Sequence, residues 1–299
     1  MKLDRALYPF DSHFFEVEGG RMHYLDEGQG PPLVMVHGNP TWSFYYRNLV
    51  IALRDRHRCI VPDHIGCGLS DKPAADAYDY TLSRRVADLE ALLTHLDLGP
   101  VTLIVHDWGG AIGFGWAARH PQQIARLVIL NTAAFHNPRG WKIPPSLRLV
   151  RDTALGALLV QGFNAFSAGA TRMAVKKPLP AAVRRAYTAP YDSWKHRIAT
   201  LRFVQDIPLS EHDPAWAPIS EASAGLAHFT ETPALICWGE RDFVFDAPFL
   251  AEWERRLPNA QVHRFPEGGH YVLEDEGDAI LGHIEAFFLA HPVSEEGKR

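Results

Sequence analysis

The sequence predicts an α/β protein: a mostly parallel eight-stranded sheet flanked by helices, with a helical cap inserted late in the chain. Three observations carry that expectation. Short continuous apolar runs alternate with helix-length amphipathic stretches, as when crossover helices join strands buried on both faces. The alternation lapses between residues 135 and 228, where proline, alanine and aromatic residues are frequent and the apolar runs have helical length. It then resumes for two strands and a closing helix.

Taken in order, "FFEVEGGRMHYLDEG" reads as a hairpin turning at Gly19-Gly20. "PLVMVHG" (32–38), "RCIVPD" (58–63), "VTLIVHD" (101–107) and "RLVILNT" (126–132) are unbroken apolar strands. Between them, residues 81–99 form a helix that Thr81 caps and Gly99 ends, with apolar residues three and four apart. "PALICWGERD" (233–242) restores a buried strand, followed by the helix "PFLAEWERRLP", the strand "AQVHRFP" and the final helix "DAILGHIEAFFLA". The expected division is a core of residues 1–134 and 229–299 with a cap of residues 135–228. The cap is expected to lie across the carboxyl edge of the sheet, where α/β folds place their ligands. The tail "VSEEGKR" is expected to fray.

At 299 residues the chain has room for one large domain with an insertion. Its net charge of -5 gives no electrostatic case for nucleic acid or an anionic membrane as partner. Cys59, Cys67 and Cys237 are odd in number and lack metal-type spacing, so neither a disulfide framework, a metal nor a cofactor is expected. The N-terminal stretch has no signal-peptide pattern, and no apolar run reaches the length of a membrane span. A cytoplasmic protein without a transmembrane segment is the expectation.

"LIVHDWGG" (103–110) places Asp107 where a strand turns into a helix, a corner that exposes a side chain beside the helix's first N–H groups. Aspartate is also a favoured helix N-cap, so its partners decide. "CWGERD" ends a predicted strand on Asp242, and His270 sits in the glycine-rich "PEGGHYVLED" after the next strand. Nucleophile, acid and histidine thus come in the order that a nucleophile-elbow triad requires. An aspartate behind the imidazole would orient it and stabilise its charged form. Asn39, in "HGNPTW", and Trp108, beside the corner, carry neutral N–H donors suited to a departing anion. His37, His64 and His106 are read as structural, His106 as packed behind the nucleophile.

On "HGNPTW", "VHDWGG", "GERD" and "GGH" the chain resembles the α/β-hydrolase superfamily over nearly its whole length, and within it the haloalkane dehalogenases. That resemblance implies an alkyl-enzyme ester at Asp107, a leaving halide held by Asn39 and Trp108, and His270 as base with Asp242 as its acid. One branch of that group takes its acid from the strand before the cap, but here the position reads "ILNTAAF", without a carboxylate. Epoxide hydrolases, an alternative, usually carry an aromatic residue at the Asn39 position and two cap tyrosines, for which Tyr187 and Tyr191 would be the candidates.

"VPDHIGCGLSDKP", "NTAAFH" and "APYDSW…RIATLRFVQDIPL" look more narrowly like the β-lactone decarboxylases of bacterial long-chain olefin biosynthesis. That likeness implies a hydrophobic substrate with two alkyl chains, a cis-β-lactone converted to a cis-alkene and carbon dioxide. It also implies assembly with a lactone synthetase and a reductase of the same pathway. Attack of Asp107 at the ring carbon bearing oxygen and attack at the lactone carbonyl both remain open at this point. A non-catalytic interaction protein on the same scaffold is the reading that the five competent site positions disfavour.

Overall fold

A computed structural model of the chain describes residues 4–140 and 142–293. All but the first residue of the tail expected to fray lies outside them. The eight strands are β1 (His13–Val17), β2 (Gly20–Glu27), β3 (Pro32–Val36), β4 (Arg58–Pro62), β5 (Val101–Asp107), β6 (Ile124–Thr132), β7 (Ala234–Gly239) and β8 (Gln261–Phe265). They form one sheet in the order β1-β2-β4-β3-β5-β6-β7-β8. β1 and β2 pair antiparallel, β2 pairs antiparallel with β4, and every later pairing is parallel. Among the described residues the α-helices are α1 (Arg47–Leu53), α2 (Leu82–Leu96), α3 (Trp108–Ala117), α4 (Pro145–Asp152), α5 (Ala154–Phe163), α6 (Ala165–Met173), α7 (Ala181–Thr188), α8 (Ile198–Gln205), α9 (Trp216–Gly225), α10 (Ala247–Arg256) and α11 (Val272–Ala290).

Strand alternation divides the core into two layers. Val34, Val36, Leu103, Val105 and Ile129 face Leu82 and Val86 of α2, Phe114 of α3 and Trp253 of α10. Their neighbours Leu33, Met35, Ile104 and Val128 face Leu49 and Leu53 of α1 and Ile284 and Phe287 of α11. Successive side chains point to opposite faces, so a strand between two helix layers is buried at every position and mostly apolar. All seven residues of β5 are buried.

Of the boundaries that differ from the sequence expectation, three are the most telling. α2 is capped by Thr81, whose hydroxyl accepts the Arg84 N–H, but it stops at Leu96 and not at Gly99. Asp97 adopts the left-handed conformation there, φ 46° and ψ 53°, which a short polar side chain tolerates. α11 begins at Val272, before the expected "DAILGHIEAFFLA", with non-helical backbone at Glu276. β7 ends at Gly239, so Asp242 stands in the turn beyond the strand and not on its last residue. Residues 135–228 supply α4 to α9, and no strand occurs among their described residues.

Candidate active site

β5 delivers Asp107 at the carboxyl edge of the sheet with φ 52° and ψ −130°. That backbone is unfavourable for a residue with a side chain, by about 1–3 kcal/mol, and persists because its surroundings hold it. Thr132 Oγ1 on β6 donates to the Asp107 carbonyl oxygen. Close packing completes the corner: a Cβ on Gly38 would overlap Asp107 Oδ1, and one on Gly109 would overlap the Val36 carbonyl oxygen. The two glycines let the β3 loop and α3 approach the same point.

The Asp107 carboxylate is buried and divided between two partners. Its Oδ1 accepts the Asn39 backbone N–H at 2.6 Å, and its Oδ2 lies 3.4 Å from His270 Nε2. His270 Nδ1 pairs with Asp242 Oδ2 at 2.7 Å. The imidazole therefore stands between two carboxylates. Burial pulls its pKa down, but the charge of Asp242 and the close approach of Asp107 outweigh burial and raise it to about 10. Burial opposes ionisation of Asp107 as well, yet the adjoining His270 outweighs it and holds that pKa below the usual aspartate value. The resting site is an ion triplet of two carboxylates and one imidazolium.

Two further groups fix this geometry. His106 Nε2 donates to the His270 carbonyl oxygen at 2.8 Å, and its ring stacks on Tyr45. Burial and the neighbouring His270 charge push the His106 pKa to about 3, so it is neutral and a single-proton donor. Asn131, at the end of β6, donates through Nδ2 to Asp242 Oδ2 and to the Gly239 carbonyl oxygen, each at 3.0 Å. Its Oδ1 accepts the Gly239 N–H at 2.8 Å, and Asp242 Oδ1 accepts the Val244 N–H at 2.7 Å. Asn131 thus clamps the β7 turn and presents Asp242 to the imidazole. Sequence reading registered this position only as lacking a carboxylate. Its signal was present, since an amide ending a fully buried strand needs partners for both of its ends.

Above the carboxylate lies a cavity of about 330 Å³. Asn39, Asp107, Trp108 and His270 are its polar floor, while Leu147, Val160, Phe166 and Ile219 contribute to its apolar walls. Asp242 stands behind His270, outside the lining. Asn39 Nδ2 donates to the Thr200 carbonyl oxygen on α8 at 3.0 Å, which anchors the amide to residues 135–228 and leaves its second N–H for the cavity. Thr200 was not among the residues singled out from sequence. Trp108 forms no indole N–H hydrogen bond with another described residue, so that donor too is available. Tyr187 and Tyr191 are buried away from the cavity, with hydroxyls donated to Glu274 and to the Thr41 carbonyl oxygen. They do not face Asp107 as the epoxide alternative would need.

His37 and His64 behave as the structural histidines expected of them. His37 Nδ1 meets the Gly38 carbonyl oxygen at 2.8 Å and its Nε2 accepts the His64 N–H at 3.2 Å. Asp63 beneath them takes the Ser43 and Leu69 N–H groups and the ring of His23. This buried set shapes the loop carrying Asn39.

The charge arrangement gives a direct spectroscopic expectation. Downfield N–H proton resonances of His270 should persist through neutral pH and titrate only as pH approaches about 10, against about 6.5 for a free imidazole. Asp242→Asn removes one of the two attracting charges and should lower that pKa by at least about one unit. A wild-type imidazole titrating near neutrality would contradict the ion triplet.

The same scaffold occurs in known proteins. The family model for the α/β-hydrolase fold matches residues 31–277. The cis-3-alkyl-4-alkyloxetan-2-one decarboxylase of Shewanella oneidensis is 56% identical over 284 residues, covering 94% of this chain and 89% of that protein. Its namesake in Xanthomonas campestris pv. campestris is 52% identical over 295 residues, covering 96% and 98%. Among solved structures, a haloalkane dehalogenase from Bradyrhizobium elkani superposes with a TM-score of 0.83 at 28% identity, covering 94% of this chain and 99% of that one. The chain belongs to the α/β-hydrolase fold family, in the branch that holds these oxetan-2-one decarboxylases and, more distantly, the haloalkane dehalogenases.

Proposed function

We propose that this protein is a lyase that converts cis-3,4-dialkyl β-lactones to cis-alkenes and carbon dioxide, with Asp107 as nucleophile. The observation that carries the reading is the likeness to two decarboxylases of that substrate class along almost the whole chain. A buried carboxylate beneath an apolar cavity, with free N–H donors at its floor, is chemistry suited to it. A β-lactone is a strained electrophile whose ring oxygen leaves as a carboxylate. Asp107 attacks the ring carbon bearing oxygen, the C–O bond breaks, and configuration inverts. Asn39 and Trp108 stabilise the carboxylate as it forms, since fixed donors aimed at developing charge need no reorganisation. The C–CO2 bond then breaks, its electron pair forms the alkene, and the ester oxygen departs with Asp107 restored as carboxylate. Inversion followed by anti elimination makes a cis alkene from a cis ring. Attack at the lactone carbonyl to give an anhydride is the competing route.

His270 and its acid Asp242 have no water to activate in this sequence. Their part is electrostatic: an imidazolium beside Asp107 orients the nucleophile and receives its charge again when the ester leaves. Residues 135–228 act as the cap over a core of residues 1–134 and 229–299, and the cavity between them holds the alkyl chains. No helix of the described residues is long and apolar enough to cross a membrane. A place in olefin biosynthesis in the cytoplasm, beside a lactone synthetase and a reductase, follows from this reading.

The deciding assay offers purified protein a cis-dialkyl β-lactone series and a matching bromoalkane series. Alkene and carbon dioxide from the lactones are expected, with KM falling as the chains lengthen until the cavity is full. Each buried methylene contributes about 0.8 kcal/mol, or about fourfold in affinity. Turnover of the bromoalkanes alone would make the protein a haloalkane dehalogenase. A flat response across soluble chain lengths would remove the alkyl role of the cavity.

A further inference from the structure

Residues 139–202 contain twelve Lys and Arg against two Asp and Glu, a local balance of +10 in a chain whose total is -5. The net charge therefore conceals a strongly cationic surface segment. Its centre is α5, "ALGALLVQGF", which has no charged residue. Leu155 and Leu158, one turn apart on that helix, are 57% and 47% exposed, and Phe163 at its end is 71% exposed. Trp194, 52% exposed, stands over the same face, because a Cβ on Gly162 would touch both Leu158 and the Trp194 ring. The rest of α5 is also mostly apolar, and its Leu159 and Val160 line the cavity above Asp107. Leu149, Met173 and Phe243 line the cavity and are exposed as well, so apolar surface runs without a break from the cavity to the outside.

A surface helix ordinarily turns polar residues outward. Here the outward face is apolar and its borders are basic. Exposed Arg148 adjoins Leu149, exposed Arg172 adjoins Met173, and exposed Lys195 adjoins Trp194. Arg172, Lys195 and Arg202 form no ion pair among the described residues. Arg148 on the same border is paired with Asp152, as exposed Arg255 and Arg264 on the acidic remainder are paired with glutamates. Leucine, phenylalanine and tryptophan bordered by basic residues, with Arg172 and Lys195 unpaired, are the chemistry of a surface that lies in the headgroup region of an anionic bilayer.

We propose that the α5 face, with Trp194 and the basic residues around it, docks this protein on anionic lipid membranes with the cavity mouth toward the bilayer. The apolar side chains enter the headgroup–acyl boundary and the cations meet lipid phosphates. For a lipophilic substrate of the kind proposed above, the continuous apolar rim is then the route from bilayer to nucleophile, but docking itself does not depend on that reaction.

The test is co-sedimentation of the intact wild-type protein with phosphatidylcholine vesicles, with and without phosphatidylglycerol, and it needs no substrate. Binding is expected only with the anionic lipid and should weaken as salt rises. Arg172→Glu/Lys195→Glu should lower vesicle affinity by at least about 25-fold, at about fivefold per lost charge. Leu158→Ser/Trp194→Ser should lower it by at least about tenfold through lost apolar burial. None of the four side chains lines the cavity, so unchanged circular dichroism and unchanged turnover of a soluble short-chain substrate serve as folding controls. Wild-type protein that stays in the supernatant at low salt overturns the proposal, as does full binding by either double variant. Self-association lost in Leu158→Ser/Trp194→Ser without vesicle binding overturns it too, and makes the face an interface between copies.

Discussion

Asp107→Asn is expected to abolish turnover while leaving the protein folded. A carboxamide matches the carboxylate in size and can still accept the Asn39 N–H that now binds Oδ1. It is nevertheless a poor nucleophile, and covalent catalysis through this side chain has no substitute in the cavity. Loss of at least about 10³-fold in kcat is the expected scale for removing such a group. The substitution also removes one of the charges that hold the proton on His270, so the imidazole pKa should fall in the same variant. Mass spectrometry of freshly purified protein would exclude deamidation back to aspartate. Substantial lactone turnover by verified Asp107→Asn, with native circular dichroism, would remove Asp107 from the mechanism.

Much of this site was legible in sequence because the fold converts chain order into position. Parallel strands end at one edge, so a residue just past an apolar run is delivered to that edge. Asp107, Asn39 and His270 each follow such a run, and the structure brings them together. Asp242 was found by the same logic, although the strand stops three residues before it and a turn carries it in. What sequence could not display was support from groups distant in the chain. Asn131 acts on Asp242 across 111 positions and His106 on the His270 carbonyl across 164; a buried amide announces that it needs partners, but no local pattern names which ones.

The end of α2 was misplaced for a different reason. Glycine is the usual left-handed stop, but Asp97 supplied that conformation two residues earlier. Net charge is limited in its own way, because it is a sum over regions that differ. A net charge of -5 averages the cationic residues 139–202 with an acidic remainder, and a surface partner responds to the distribution of charge and not to its sum.

His270 separates the two reactions weighed for this site. In the resting protein the imidazole keeps its proton, because Asp107 and Asp242 both hold it. Esterification of Asp107 removes one of those charges and lowers the imidazole pKa, which is how a hydrolase would turn the same residue into a base. A dehalogenase needs that base, since water must attack the ester. Its histidine variant stops after one turnover with the alkyl group on the aspartate. In the lactone route, breaking the C–CO2 bond expels Asp107 without water, so the ester is short-lived whether or not a base is present. His270→Ala is therefore expected to retain multiple turnover of a cis-β-lactone, at a rate reduced by lost electrostatic support. In oxygen-18 water the Asp107 peptide should remain unlabelled in both the variant and the wild type, as read by mass spectrometry after many turnovers. Heavy oxygen accumulating in wild-type Asp107 during lactone turnover would mean that water attacks its ester, and the reaction would be a hydrolysis.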